Sequence, residues 1–266
     1  MVGVEDSVKQ PGGTWVRQRL LNVWADDLSM QDLFDHLDRF GGVVFTVNPD
    51  HLVHLQHNAE FLDAYRQADV VTVDSMYVKL CLSWLGRPVR HRLPGSDIVP
   101  QYCRHHAANA SVKVFLLGAM PGVAAKARER LNAAIGREVV VGAHGPSMNI
   151  AHDAQETEQV IAMIRDSGAN ALMVGFGAPK QEVWIVRNRH KLPSVRVFMG
   201  IGATIDYEAG VVKRAPPWLR PIGLEWSYRV VTEPRRYLLR YAKNTKFFWW
   251  ILLDWLGRYR DPLLRR

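Results

Sequence analysis

Two cysteines in 266 residues, Cys81 and Cys103, exclude a disulfide framework, and neither sits in a CxxC pair or a metal-ligand cluster. They read as free thiols of a reducing cytoplasm. No apolar run approaches the roughly 18 residues that span a bilayer, and the polar start Met1–Gly13 has no apolar stretch of the kind a secretion signal carries. There is no HExxH helix, no Gly-x-Ser-x-Gly elbow and no Walker lysine loop. The turn Gly118-Ala119-Met120-Pro121-Gly122 lacks the full dinucleotide fingerprint, and no acidic residue closes the next strand, which argues against a Rossmann oxidoreductase. No DxD-type carboxylate pair, internal repeat or low-complexity segment is present.

Acidic residues are scarce in one place. From Val211 to Arg266, thirteen basic residues face only Glu225, Glu233, Asp254 and Asp261, whereas residues 1–210 hold 21 basic and 22 acidic side chains. The whole net charge of +8 therefore belongs to the tail. The same tail carries Phe247-Phe248-Trp249-Trp250-Ile251-Leu252-Leu253 and then Trp255-Leu256. Cations interleaved with aromatic and aliphatic residues suit an anionic membrane surface on which the segment lies without crossing. A nucleic-acid-binding module built on the same basic, Trp-rich tail is the alternative. It leaves the uncharged motifs of the first 210 residues without a job.

A hydrophobic content of 48% suffices for a sizeable core. Up to about residue 205, short β-branched runs alternate with amphipathic stretches, the pattern of βαβ units and a parallel sheet. Strands are expected at Val43–Val47, Val70–Val73, Val112–Leu117, Glu138–Val141, Ala171–Val174 and Val195–Met199, with a short one near Asn22–Trp24. Helices are expected at Ser29–Arg39 (Ser29 and Asp32 forming a capping box), Pro49–Arg66, Met76–Leu85, Ile98–Ala107, Val123–Ile135, Asp153–Asp166 and Lys180–Arg189. After Gly210 the alternation stops, and Pro216, Pro217, Pro221 and Pro234 break up a helical tail. The fold class is thus α/β, a Rossmann-like parallel sheet with flanking helices plus a helical, basic C-terminal appendage. The expected divisions are a flexible N-terminus (1–19), a core (20–210) and the appendage (211–266).

In such sheets, ligands bind beyond the carboxyl ends of the strands. Three strand ends carry polar or glycine-rich turns: Thr46-Val47-Asn48, Asp74-Ser75, and Gly175-Phe176-Gly177-Ala178-Pro179-Lys180-Gln181-Glu182. Gly175 and Gly177 let a ligand approach the backbone, and the helix opening at Lys180 and Gln181 favours a phosphate. An ordinary strand-to-helix turn is the plain alternative. Asp74 can act as a general base or simply cap the next helix. Asn48-Pro49 is a good turn start in its own right. Two uncharged hydrogen-bonding groups with a carboxylate suit a sugar. His51, His54 and His57 recur at three-residue steps, which reads better as a solvated helix face than as a metal site. If a diphosphate is handled, arginines and helix ends must supply the positive charge.

Together these segments resemble the WecG/TagA/CpsF family of bacterial glycosyltransferases. The resemblance rests on Thr46-x-Asn48, Asp74, Arg92-x-x-Gly95-x-Asp97 and Gly175-x-Gly177-x-Pro179-Lys180-Gln181-Glu182-x-Trp184. It continues through Gly200-x-Gly202-x-x-x-Asp206, Gly210, Arg214-Ala215-Pro216-x-Trp218, Gly223-Leu224-Glu225-Trp226-x-x-Arg229, Glu233-Pro234-x-Arg236 and Arg240-Tyr241. The resemblance implies an inverting enzyme, without cofactor or essential metal, that moves a sugar from a UDP-sugar donor to a polyprenyl-diphosphate-linked acceptor. It implies a peripheral place on the cytoplasmic face of the inner membrane. Asp74 would be the general base and Thr46, Asn48 and Gln181 would contact substrate, among the binding residues Gly175, Gly177, Lys180 and Glu182. Arg92 and the tail arginines Arg229, Arg236 and Arg240 would neutralise the leaving diphosphate. The donated sugar is left open, as is the choice between a monomer and a homo-oligomer. Serine at position 75, where the family usually has glycine, bears on the shape of the sugar pocket.

Overall fold

The computed structural model describes residues 7–9, 15–216, 218–220, 223–235 and 242–264. The chain opens with a small antiparallel sheet of β1 (Ser7–Lys9), β2 (Val16–Leu20) and β3 (Val23–Asp27). Helix α1 (Met30–Phe40) starts on the capping box the sequence predicts, with the Asp32 amide donating to Ser29 Oγ at 3.1 Å and the Ser29 amide to Asp32 Oδ2 at 2.9 Å. β4 (Gly42–Val47), α2 (Pro49–Leu55), α3 (Ala59–Arg66), β5 (Val70–Val73), α4 (Met76–Trp84) and α5 (Gly95–His105) follow. Then come β6 (Val114–Gly118), α6 (Val123–Ile135), β7 (Val140–His144), α7 (Ala154–Asp166), β8 (Ala171–Gly175), α8 (Lys180–Asn188), β9 (Val197–Gly200) and α9 (Thr204–Glu208). Among the described tail residues are α10 (Glu225–Thr232) and a C-terminal helix (Lys246–Trp255).

Strands β4 to β9 form one parallel sheet in the order β5-β4-β9-β8-β6-β7. Helices cover both faces, so the strands read as unbroken apolar runs. Their side chains nonetheless divide by pleat: Val43, Phe45, Val47, Leu172 and Val174 join one core, whereas Val44, Ala171 and Met173 join the other. This is the α/β, Rossmann-like arrangement that the alternation of runs implies.

Three expectations need correction. The helix expected over Pro49–Arg66 is two helices, because Asn58 caps a second start by accepting from the Phe61 amide at 3.0 Å. Strands β6, β7 and β9 each begin two residues later than their runs suggest. The N-terminus is not flexible through residue 19. Trp15 is buried and Val16–Leu20 pairs along β3. The sequence Val-Arg-Gln-Arg-Leu carries no alternating apolar signal, and its order comes from distant partners.

Those partners are two buried aspartates. Asp26 accepts from Trp15 Nε1 at 2.8 Å, from the Val71 amide at 2.7 Å and from Arg17 Nη2 at 3.1 Å, which pins the hairpin to β5. Burial pushes its carboxyl pKa up, with the Arg17 charge opposing. Asp254, on the C-terminal helix, receives Arg87 Nη1 at 2.5 Å and Arg19 Nη2 at 2.9 Å. The same helix buries Phe247 and Ile251 in the core, and beyond it Tyr259 Oη donates to Gln56 Oε1 at 2.7 Å. Removing one partner of a buried ion pair strands the others. Asp254→Ala is therefore expected to cost about 3 kcal/mol of stability, read by urea denaturation; a loss below about 1 kcal/mol, the range of a surface pair, would show that the helix is not tied down there.

Candidate active site

The parallel register decides which residues meet. Val47 pairs with Val73, so Asn48 and Asp74 leave adjacent strands side by side, and the Asp74 amide extends the ladder to Val47 O at 3.0 Å. Asn48 caps α2, accepting from the His51 amide at 3.1 Å, while its Nδ2 lies 3.4 Å from Asp74 Oδ2. Asp74 is spared the capping role: the N-cap of α4 is Ser75, whose Oγ accepts from the Tyr77 amide at 3.2 Å. The Ser75 backbone is extended (φ −98°, ψ 137°), a conformation that serine adopts without strain. A cleft of about 500 Å³ opens above this edge, and Thr46, Asn48, Asp74, Arg92, Gly175, Gly177 and Gln181 all line it.

Burial raises the Asp74 pKa, and nearby Glu225 adds to the rise, whereas Arg92, His51 and the Asn48 hydrogen bond oppose it. Arg92 Nη1 donates to the Asp74 carbonyl at 3.1 Å and to Glu225 Oε2 at 3.3 Å. A carboxyl held above its ordinary range in a cleft wall is suited to taking a proton from a hydroxyl. Thr46 turns its backbone carbonyl inward, where it accepts from Tyr65 Oη at 2.5 Å and lies 2.7 Å from His51 Nδ1.

The glycine-rich turn after β8 forms the opposite wall. A Cβ on Gly175 would meet Gly202 O at 2.7 Å, and Gly177 has φ +78°, so neither site accepts a larger residue without strain. Gln181 fastens this turn to the next one. Its Oε1 accepts from the amides of Gly177 at 3.2 Å and Gly202 at 3.0 Å, and its Nε2 donates to Glu182 Oε1 at 2.7 Å. Gln181 thus lines the cleft with 1% of its surface exposed and each end of its amide engaged. Lys180 and Glu182 lie outside the cleft. Lys180 Nζ donates to Met148 O at 3.0 Å, and Glu182 is fully buried with burial raising its pKa. Arg229 is carried on α10; Arg236 and Arg240 lie outside the described residues.

Sequence reasoning missed several residues. His51 is not on a solvated face but buried, and it lines the cleft. His57 falls beyond the end of α2, 5.5 Å from the Trp250 ring. The three histidines therefore do not gather. Among the described residues, the grouping with metal-ligand spacing is Asp38, His105 and His106, none of which lines the cleft. The tail supplies a whole wall, with Gly223, Glu225, Asn244, Thr245, Phe247 and Phe248. Behind Glu225 stands Arg214, whose Nη1 donates to Asp97 Oδ1 at 2.6 Å and whose Nε lies 3.6 Å from Glu225 Oε1. The Arg-Ala-Pro and Glu-Trp motifs were the available signal for this pair.

Comparison with known proteins matches the sequence to a family. The model of the glycosyl transferase WecG/TagA/CpsF family covers residues 18–261. Among curated proteins, the N-acetylglucosaminyldiphosphoundecaprenol N-acetyl-beta-D-mannosaminyltransferases of Staphylococcus aureus strains NCTC 8325 / PS 47 and COL are each 28% identical over 228 residues. The match spans 82% of this chain and 85% of theirs. With a family model running over nearly its whole length, the chain belongs to the WecG/TagA/CpsF family of glycosyl transferases.

Proposed function

We propose that the protein transfers a hexose, hexosaminyl or hexuronosyl unit from a UDP-sugar to a polyprenyl-diphosphate-linked glycan, with inversion and without a metal, during cell-surface polysaccharide synthesis. The observation that carries the reading is Asp74: released from helix capping by Ser75, set beside Asn48 and Arg92, and raised in pKa at the cleft edge of the sheet. In a single displacement, the acceptor hydroxyl oxygen bonds to the anomeric carbon as the bond from that carbon to the diphosphate oxygen breaks. Asp74 takes the hydroxyl proton, and UDP departs with the bonding pair. Attack from the face opposite the leaving group inverts the centre. Arg92, the start of α8 and the tail arginines Arg229, Arg236 and Arg240 supply positive charge for the diphosphate. Thr46 and Asn48 orient the sugars, and Gln181 acts indirectly by holding the two glycine turns.

A peripheral place on the cytoplasmic face of the membrane fits the surface. Among the described residues no helix is long and apolar enough to cross a membrane. Phe248, Trp249 and Trp255 are exposed on the C-terminal helix, and Trp255 stacks on the exposed Trp84 of α4 at 5.2 Å. Exposed apolar residues amid basic charge favour an anionic lipid surface.

Four measurements test this reading. UDP release from a panel of UDP-sugars should require a polyprenyl-diphosphate-linked acceptor, and Asp74→Asn should lower kcat by about 10²- to 10⁴-fold; a folded variant with full turnover overturns the assignment. In the wild type, kcat/KM should rise with pH as Asp74 ionises, with a midpoint above the ordinary 3.8. Because its folded pKa is raised, the ionised carboxyl opposes folding. Stability is greatest below the unfolded pKa and falls as pH climbs through the folded one. Asp74→Asn should therefore raise the Tm at neutral pH while lowering kcat. For the surface, replacing Trp249 and Trp255 by serine should reduce co-sedimentation with phosphatidylglycerol vesicles by at least tenfold, on the scale of two interfacial aromatics at about 1 kcal/mol each. Unchanged sedimentation counts against membrane docking through this face.

A further inference from the structure

We infer that Arg92 and Arg214 form a diphosphate-binding site that Glu225 occupies in the ligand-free protein, standing in for the anion. Arg92 and Glu225 line the cleft, and Arg214 lies directly behind Glu225. The Glu225 carboxylate is shared between the two guanidinium groups, through Oε2 to Arg92 Nη1 at 3.3 Å and through Oε1 to Arg214 Nε at 3.6 Å. Both distances exceed the roughly 2.7–2.9 Å of a good charge-assisted bond. One short carboxylate is serving two cations and satisfies neither well.

Arg214 shows the consequence. Its Nη1 is spoken for by Asp97 Oδ1 at 2.6 Å and Ser96 O at 3.4 Å, which fix the side chain in place. Its Nε and Nη2 are shielded from solvent and have no hydrogen-bond partner. Guanidinium donors buried without acceptors are costly, and in Arg214 both lie on the side that faces Glu225 and not Asp97. A diphosphate carries more acceptor oxygens over a longer span than a carboxylate. It can bond Arg92 and Arg214 together where Glu225 reaches each only loosely. The exchange also has a mechanical side. Arg92 holds the Asp74 carbonyl at 3.1 Å, and Glu225 opens α10 just after Gly223, where a Cβ would come within 3.0 Å of Met76. Displacing Glu225 therefore reaches both the loop of the proposed base and the helix that carries Arg229.

The site rests on the glycosyltransferase reading only for which diphosphate fills it, that of the nucleotide donor or that of the lipid carrier. Calorimetric titration of the full chain with inorganic pyrophosphate tests the site without any transfer reaction. Removing the competing charge in Glu225→Gln should tighten pyrophosphate binding about tenfold, the ratio that one charge-assisted hydrogen bond sets. Uridine affinity should not change. Adding Arg214→Gln to Glu225→Gln should abolish the gain. If that variant does not fold, Arg214→Lys, which keeps the charge without the fork, should remove most of it. The same gain on UDP assigns the site to the donor; a gain on farnesyl diphosphate without one on UDP assigns it to the lipid carrier. Pyrophosphate affinity in Glu225→Gln equal to or weaker than wild type overturns the site. A tighter-binding variant of a protein that transfers no sugar would overturn the proposed function and leave the site standing.

Discussion

The cleft depends on the register of a parallel sheet. Because β4 and β5 pair Val47 with Val73, and β8 and β9 pair Val174 with Gly200, four strands deliver their next residues to one edge, with β4 and β5 reaching two residues beyond β9 and β8. Asn48, Asp74, Gly175 and Ile201 are those residues. A parallel sheet gives every strand the same polarity, so its carboxyl ends must converge, and each turn leads into a helix whose first amides face the same space. The pairing that fills the core also sets Asn48 Nδ2 within 3.4 Å of Asp74. A slip of one residue would turn both side chains away from each other and their apolar neighbours out of the core.

The edge alone makes only half a cleft. Its other half comes from the tail, and the tail is held by groups that are far away in sequence. Asp254 joins Arg19 of the N-terminal hairpin and Arg87 of the loop after α4, while Phe247 and Ile251 enter the same apolar cluster as Phe45 and Val73. Segments that composition alone would set apart as a loose N-terminus and a lipid-binding appendage thus close on one another. The C-terminal helix has two faces with two environments. Phe247 and Ile251 point into the protein, whereas Phe248, Trp249 and Trp255 remain exposed. In the proposed function, the helix that meets the lipid surface is also a wall of the cleft, so a lipid-linked substrate would enter beside the surface that holds the protein in place.

How far the residues announced this arrangement depended on the range of the interactions. Val70–Val73 is plain as a strand because a central parallel strand is buried on both faces and needs an unbroken β-branched run. The Ser29–Asp32 box is plain because capping is local. The Pro-Lys-Gln-Glu run marks a helix start, but its residues do not share one environment. Successive helical residues diverge by about 100°, which sends Lys180 outside the cleft to Met148, Gln181 to the cleft wall and Glu182 into the core. His51 and His57 misled because regular spacing signifies a shared face only while the helix lasts, and α2 ends at Leu55. Arg92 and Glu225 are 133 residues apart, and no local pattern marks a pair at that distance.

The electrostatics of the cleft show a site left unbalanced on its own. Asp74 is raised by burial and by Glu225; Arg92 and Arg214 share the Glu225 carboxylate at 3.3 and 3.6 Å; Arg214, though paired with Asp97, keeps two shielded donors unmatched. Asp26 with its three donors and Asp254 with its two arginines are more fully met. Imbalance at the cleft has a physical use: each unmet donor and each carboxyl held off its ordinary pKa lowers the stability of the empty site and so adds to what a matching ligand regains on binding. A hydroxyl proton for Asp74 and a diphosphate for the two arginines are the partners that would bring this cleft into balance.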